Sequence, residues 1–140
     1  MKIVIVEDDP GIRKELKQLL ENAFYEAEII EEFKGTAEQI CSMIPAPDLV
    51  LLDWNLPGES GFDICTKLKE HSDIPIIFLT SRTDSMDELT GILKGADDYI
   101  TKPFDNTELV LKVKSYLRLN KRNFNRGDNV INIGEISLNK

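Results

Sequence analysis

LVLLDWNLPGESG, residues 49–61, joins two signals that decide the fold. Leu49–Leu52 is an unbroken apolar run of strand length, and Asn55-Leu56-Pro57-Gly58 is a turn sequence that ends it. A strand buried on both faces reads this way, and Ile3–Val6 and Ile76–Leu79 have the same character. Working outward, strand-length runs occur at Lys2–Val6, Glu26–Glu32, Leu49–Leu52, Ile76–Thr80 and Tyr99–Ile100 with its flanks. Stretches with helical spacing lie between them. Ile12, Leu16, Leu19 and Leu20 form one stripe, opened by Asp9-Pro10 as cap and first-turn residue. Gly35-Thr36 opens a weaker helix through Ile44, ended by Pro45 and Pro47. Phe62, Cys65 and Leu68 mark the third, Leu89, Ile92, Leu93 and Ala96 the fourth, and Leu109, Val113, Tyr116 and Leu117 the last. Strands alternating with helices imply an α/β protein, with a doubly wound parallel sheet covered on both faces.

The 140 residues are one domain's worth of chain, and 41% are hydrophobic, enough to bury a core without a disulfide framework. Cys41 and Cys65 form no C-x-x-C pair, and His71 is the only histidine, so a zinc site and a redox dithiol are excluded. Both thiols read as buried cytosolic ones, and His71 as a cation at a helix end. No apolar run reaches the ~18 residues of a membrane span, and MKIVIVEDD is charged too early for a signal peptide. These features point to a soluble, cytoplasmic protein with no membrane partner. Residues 118–140 hold 2 of the 25 acids and 5 of the 17 bases, which puts residues 1–117 at −11 and the tail at +3. The first part repels polyanions, and the tail bases read as a solvated helix end and a linker.

In an open parallel sheet, ligands bind beyond the carboxyl ends of the strands. Those ends carry Glu7-Asp8-Asp9, Asp53, Thr80 and Lys102. Each has an ordinary explanation: a helix cap, a turn start, a strand-end hydroxyl, a surface lysine. Capping needs only one acid, and Asp9 is the one placed for it. The coincidence of all four at matching strand ends is what calls for chemistry. Crowded carboxylates repel unless a cation intervenes, and oxygen-only ligands suit Mg²⁺ better than Zn²⁺. A lysine and a hydroxyl opposite them complete a site for a phosphoryl group, with one carboxylate as nucleophile.

IVEDD, LVLLDWNLPGESG, IIFLTSR and DDYITKPF, in this order from about Lys2 to Arg122, resemble the receiver domains of two-component response regulators. The resemblance implies a (βα)₅ flavodoxin-like fold with strand order 2-1-3-4-5. It makes Asp53 the phosphoacceptor for a sensor histidine kinase. Asp8, Asp53 and the backbone carbonyl of Asn55 would ligate Mg²⁺, with Glu7 joining through water. Thr80 and Lys102 would contact the phosphoryl group, Thr80 and Tyr99 would form the switch, and a cis bond would join Lys102 to Pro103. Ser81, Trp54 and Lys112 depart from the usual residues without removing a catalytic group. Lys112 weakens a contact that arginine would make bidentate.

DDYITKPF followed by ELVLKVKSYLR is similar to receivers of winged-helix transcription factors of the OmpR/PhoB type. Residues 1–122 are then the receiver, 123–130 a linker, and 131–140 the start of a truncated C-terminal DNA-binding domain. Phosphorylation would drive a homodimer through Lys94, Asp97, Asp98, Glu108, Lys112, Lys114 and Arg118. The competing reading of those charges is a solvated face with pairs inside one chain. Three rival functions have specific tests. A haloacid-dehalogenase-type phosphatase needs a second Asp where this chain has Asn55. A flavodoxin-like FMN carrier would not put Glu7-Asp8-Asp9 against a phosphate. A stand-alone receiver would not continue into a β-like tail.

Overall fold

The structure is a computed structural model that describes residues 1–54, 56–81 and 97–128. Its elements run β1 (Lys2–Val6), α1 (Pro10–Asn22), β2 (Glu26–Ile29), α2 (Thr36–Cys41) and β3 (Leu49–Asp53). They continue with α3 (Gly61–His71), β4 (Ile76–Ser81), β5 (Asp98–Lys102) and α4 (Asn106–Asp128). The five strands form one parallel sheet in the order β2-β1-β3-β4-β5, as the resemblance implies. The helix expected at Leu89–Ala96 lies outside the described residues. Among the described residues, no helix is long and apolar enough to cross a membrane.

Strand side chains alternate between two cores, so an unbroken apolar run serves both faces of the sheet. Ile3, Ile5, Leu51 and Leu79 meet Leu16 and Leu20 of α1 and Leu109, Val113 and Leu117 of α4. Val4, Val6, Leu52 and Phe78 meet Ile40 of α2 and Ile64 and Leu68 of α3 on the other face. Asp9 caps α1, its Oδ1 accepting from the N–H groups of Gly11 at 2.8 Å and Ile12 at 3.2 Å.

Two expected elements are shorter than their periodicity implied, and one is longer. β2 ends at Ile29, not Glu32, because it pairs only with β1, whose strand stops at Val6; Glu31 and Glu32 are exposed beyond that edge. α2 ends at Cys41 with Ser42 as its cap, short of Ile44; Pro45 accounts only for the residue before it. α4 runs to Asp128, through most of the polar stretch read as a linker.

Candidate functional site

The parallel register delivers the polar residues to one edge. Val6 pairs with Leu52, so the residues that follow them, Glu7 and Asp53, leave the sheet side by side. Asp53 in turn neighbours Leu79, and Thr80 pairs with Thr101, the residue before Lys102. Glu7, Asp8 and Asp53 each place a carboxylate oxygen within 4.8 Å of the other two. Glu7 is fully buried and Asp53 is 4% exposed, whereas Asp8 faces solvent.

Lys102 reaches back from the edge strand. Its Nζ stands 2.7 Å from Glu7 Oε1 and 3.2 Å from Asp53 Oδ1. Burial pushes this ammonium's pKa down, but the hydrogen bonds and charges of Glu7 and Asp53 outweigh it and leave the pKa raised. Lys102 is thus held charged beside Glu7 and Asp53, the buried carboxylates it offsets. Three carboxylates against one ammonium still leave a formal excess of two negative charges. The donor atoms are all oxygen, so the cluster fits a hard divalent cation. Glu7 Oε2 also accepts from the Asp9 N–H at 3.1 Å, which orients that carboxyl.

Thr80 is buried, and its Oγ1 has no hydrogen-bond partner among the described residues. An unpaired buried hydroxyl costs stability, so its position next to the acidic cluster marks a group waiting for an acceptor. Tyr99 is half-buried against the α2–α3 core, and Lys112 Nζ lies 5.7 Å from its ring centre. The Lys102–Pro103 bond is cis, as the resemblance implies. Trp54 packs its ring edge-on against Phe78, ring centres 5.1 Å apart, and its backbone N–H donates to the Leu79 carbonyl.

Asn55 and Lys94 lie outside the described residues. Among the charges expected to meet across a dimer, Lys112 pairs with Asp98 of its own chain at 3.3 Å and donates to the Tyr99 carbonyl at 3.0 Å. Asp97 pairs with Lys69 of α3 at 2.7 Å. Glu108, Lys114 and Arg118 are exposed.

Two features of the site escape sequence reasoning. A Cβ added at Gly61 would sit 2.5 Å from the Asp53 carbonyl oxygen, so α3 starts against the backbone of the acidic strand end. Only glycine allows that approach. Glu59 accepts from the N–H of Thr36 at 3.2 Å and from its hydroxyl, tying the loop after β3 to α2. Gly61, three residues past the turn sequence, was a visible signal for the first; nothing in the spacing announces the second.

The family model of the response regulator receiver domain matches residues 3–114. The DNA-binding response regulator MtrA of Mycolicibacterium smegmatis is 37% identical over 98% of this chain and 58% of its own length. The phosphate regulon transcriptional regulatory protein PhoB of Escherichia coli is 41% identical over 84% of this chain and 52% of its own. The chain therefore spans just over half the length of these curated relatives. Among solved structures, the receiver domain of the TMAO respiratory system response regulator TorR superposes with a TM-score of 0.73 at 39% identity. It covers 83% of this chain and 95% of its own.

Proposed function

The chain belongs to the response regulator receiver family, and from that premise we propose that it carries a phosphoryl group on Asp53, accepted from a phosphohistidine of a sensor kinase. The observation that carries this reading is the buried Asp53 carboxylate, flanked by Glu7 and Asp8 on one side and Lys102 on the other. An Asp53 carboxylate oxygen attacks phosphorus, the bond from phosphorus to the kinase imidazole breaks, and the imidazole leaves with its electron pair. Lys102 shifts from its carboxylate partners to the incoming phosphoryl oxygens. The Thr80 hydroxyl gains the acceptor it lacks, and Tyr99 follows it inward, so the two residues form the switch. Glu7, Asp8, Asp53 and the Asn55 carbonyl would hold Mg²⁺, whose charge offsets that of the phosphoryl oxygens. Water then bonds to phosphorus as the bond from phosphorus to the Asp53 oxygen breaks, so the chain catalyses its own phosphorylation, from phosphohistidine or small acyl phosphates, and its own dephosphorylation.

Relatives named as DNA-binding and transcriptional regulators support a transcriptional output, delivered in the cytoplasm by a DNA-binding part beyond residue 130. Homodimerisation on phosphorylation is the coupling we assign to the face around Tyr99 and α4. Leu111 supports that assignment, since it is 60% exposed on α4 beside Lys112. With the Asp98–Lys112 pair already made inside each chain, the contact would rest on apolar area more than on charges.

Intact mass after acetyl phosphate treatment, with and without EDTA, tests the central claim. One stable, EDTA-sensitive phosphoryl adduct is expected, lost entirely in Asp53→Asn, because an amide is not a comparable nucleophile. Labelling of Asp53→Asn at the wild-type rate overturns the assignment. Rapid loss of label to solvent identifies a phosphatase, and no label at all a carrier of another kind.

A further inference from the structure

The segment that follows β3 is held at its two described ends by backbone hydrogen bonds, the first of them to β4. Trp54 donates to the Leu79 carbonyl at 3.0 Å, and the Gly61 N–H to the Trp54 carbonyl at 3.3 Å. Between these ends, Ser60 Oγ accepts from the Asp63 N–H of α3, and the described side-chain hydrogen bonds to α2 run through Glu59. Its partner Thr36 is fully buried, at the first position of α2. The residue before Thr36, Gly35, has φ of 62° and no side chain with which to cap that helix. Glu59 supplies the missing acceptor from a different part of the chain, taking both the N–H and the hydroxyl of Thr36. The acidic-site loop and the α2 terminus therefore satisfy each other.

We propose that the Glu59–Thr36 tie is a positioning contact for the acidic site, setting how tightly the Glu7–Asp8–Asp53 cluster holds a divalent cation. The inference rests on the reading of that cluster as a phosphoryl-transfer site. A loop already fixed in place loses little freedom when an ion binds beside it, whereas a released loop must be ordered at the ion's expense. Groups that hydrogen-bond a metal's ligands commonly change its affinity by roughly 10–100-fold when removed, and a tie that acts through the intervening loop belongs at the lower end of that range. Glu59 and Thr36 are positioning residues in this sense, since the carboxylate and the hydroxyl bond to each other and neither belongs to the Glu7–Asp8–Asp53 cluster.

Mg²⁺ titration followed by Trp54 emission, alongside thermal melts, separates this role from simple helix capping. Glu59→Ala and Thr36→Ala are each expected to weaken Mg²⁺ binding by about tenfold. Because both remove one contact, the double variant should be no weaker than either. Thr36→Ser and Glu59→Gln keep a donor and an acceptor and should recover most of the affinity. Acetyl phosphate labelling should return to the wild-type rate at saturating Mg²⁺. A lowered melting temperature with Mg²⁺ affinity unchanged would show that the tie only caps α2, and would overturn the proposal. Should the alanine variants not fold, Glu59→Asp, one methylene short, should still lose affinity; unchanged affinity there overturns it equally. Failure of the underlying site reading looks different: the wild-type chain itself would show neither a Mg²⁺ response nor an Asp53-dependent label.

Discussion

Cys65 and Cys41 carry the same thiol in opposite surroundings. Cys65 is fully buried in the α2–α3 core, as expected, but Cys41, also expected to be buried, is exposed at the last position of α2. Burial pushes the Cys65 thiol up to about 11; Lys69 opposes the shift and Asp97 adds to it. At pH 8, about one Cys65 in a thousand would be the reactive thiolate, even if reagent reached it. A thiol-counting reagent at pH 8 should therefore find one reactive cysteine in the native protein and two in guanidinium. Equal reaction of both in the native state would show that the core around Cys65 opens readily. The sign of the pH effect follows from the same shift. Folding favours the neutral thiol, so its contribution is complete below about pH 9 and is lost as pH rises through about 11.

The edge element β5 depends on side chains that the sequence presented as surface charge. Asp97, immediately before the strand, accepts from the Ile76 N–H at 2.8 Å and from Lys69 Nζ at 2.7 Å. Lys69 also donates to the Ile74 carbonyl, and the Tyr116 hydroxyl of α4 donates to the Asp97 carbonyl. One carboxylate thus joins the start of β4, α3 and the start of β5. Tyr116 feels its surroundings too: burial first, then the Asp98 charge, raise its pKa. Asp97→Ala strands a strand N–H and is expected to cost about 1–2 kcal/mol in urea unfolding, at the lower end because the side chain is one-third exposed. Lys112→Ala should cost less than about 1 kcal/mol, since its pair is partly solvated. A loss under about 0.5 kcal/mol for Asp97→Ala would return it to the solvated face. The result also bears on dimer tests, because a variant that loosens β5 cannot report on an interface alone.

At the scale of the whole molecule, the sheet gathers negative charge at its functional edge in a chain of net charge −8. A cation that binds there stabilises the fold by mass action, by about 2.7 kcal/mol at a hundredfold excess over its Kd. For a domain of this size that is on the order of 10 °C in Tm. Asp8→Asn should cancel most of the Mg²⁺-dependent rise. In EDTA the same variant should melt at or above the wild-type temperature, since one of three crowded carboxylates has lost its charge. Differential scanning calorimetry with and without Mg²⁺ measures both. A wild-type Tm indifferent to Mg²⁺, or an Asp8→Asn protein that is less stable than wild type in EDTA, would contradict a repulsive cluster.

The sequence by itself determined the layer architecture, because unbroken apolar runs such as Leu49–Leu52 have only one economical use, a strand with a core on each side. It also determined the candidate site: Glu7, Asp8, Asp53, Thr80 and Lys102 stand at strand ends, and parallel strands must bring those ends to one edge. Local rules were enough for Asp9 as the α1 cap. They fell short at the ends of β2 and α2; for β2 the limit is the length of its pairing partner. Contacts that bridge distant parts of the chain were decided by the tertiary structure. Glu59 on Thr36, Gly61 against the Asp53 carbonyl and Asp97 on Ile76 and Lys69 are each set by how elements pack. A side chain's spacing in sequence records which face of its own element it occupies. Which atom it meets is settled only when a second element, placed by the hydrophobic core, arrives beside it.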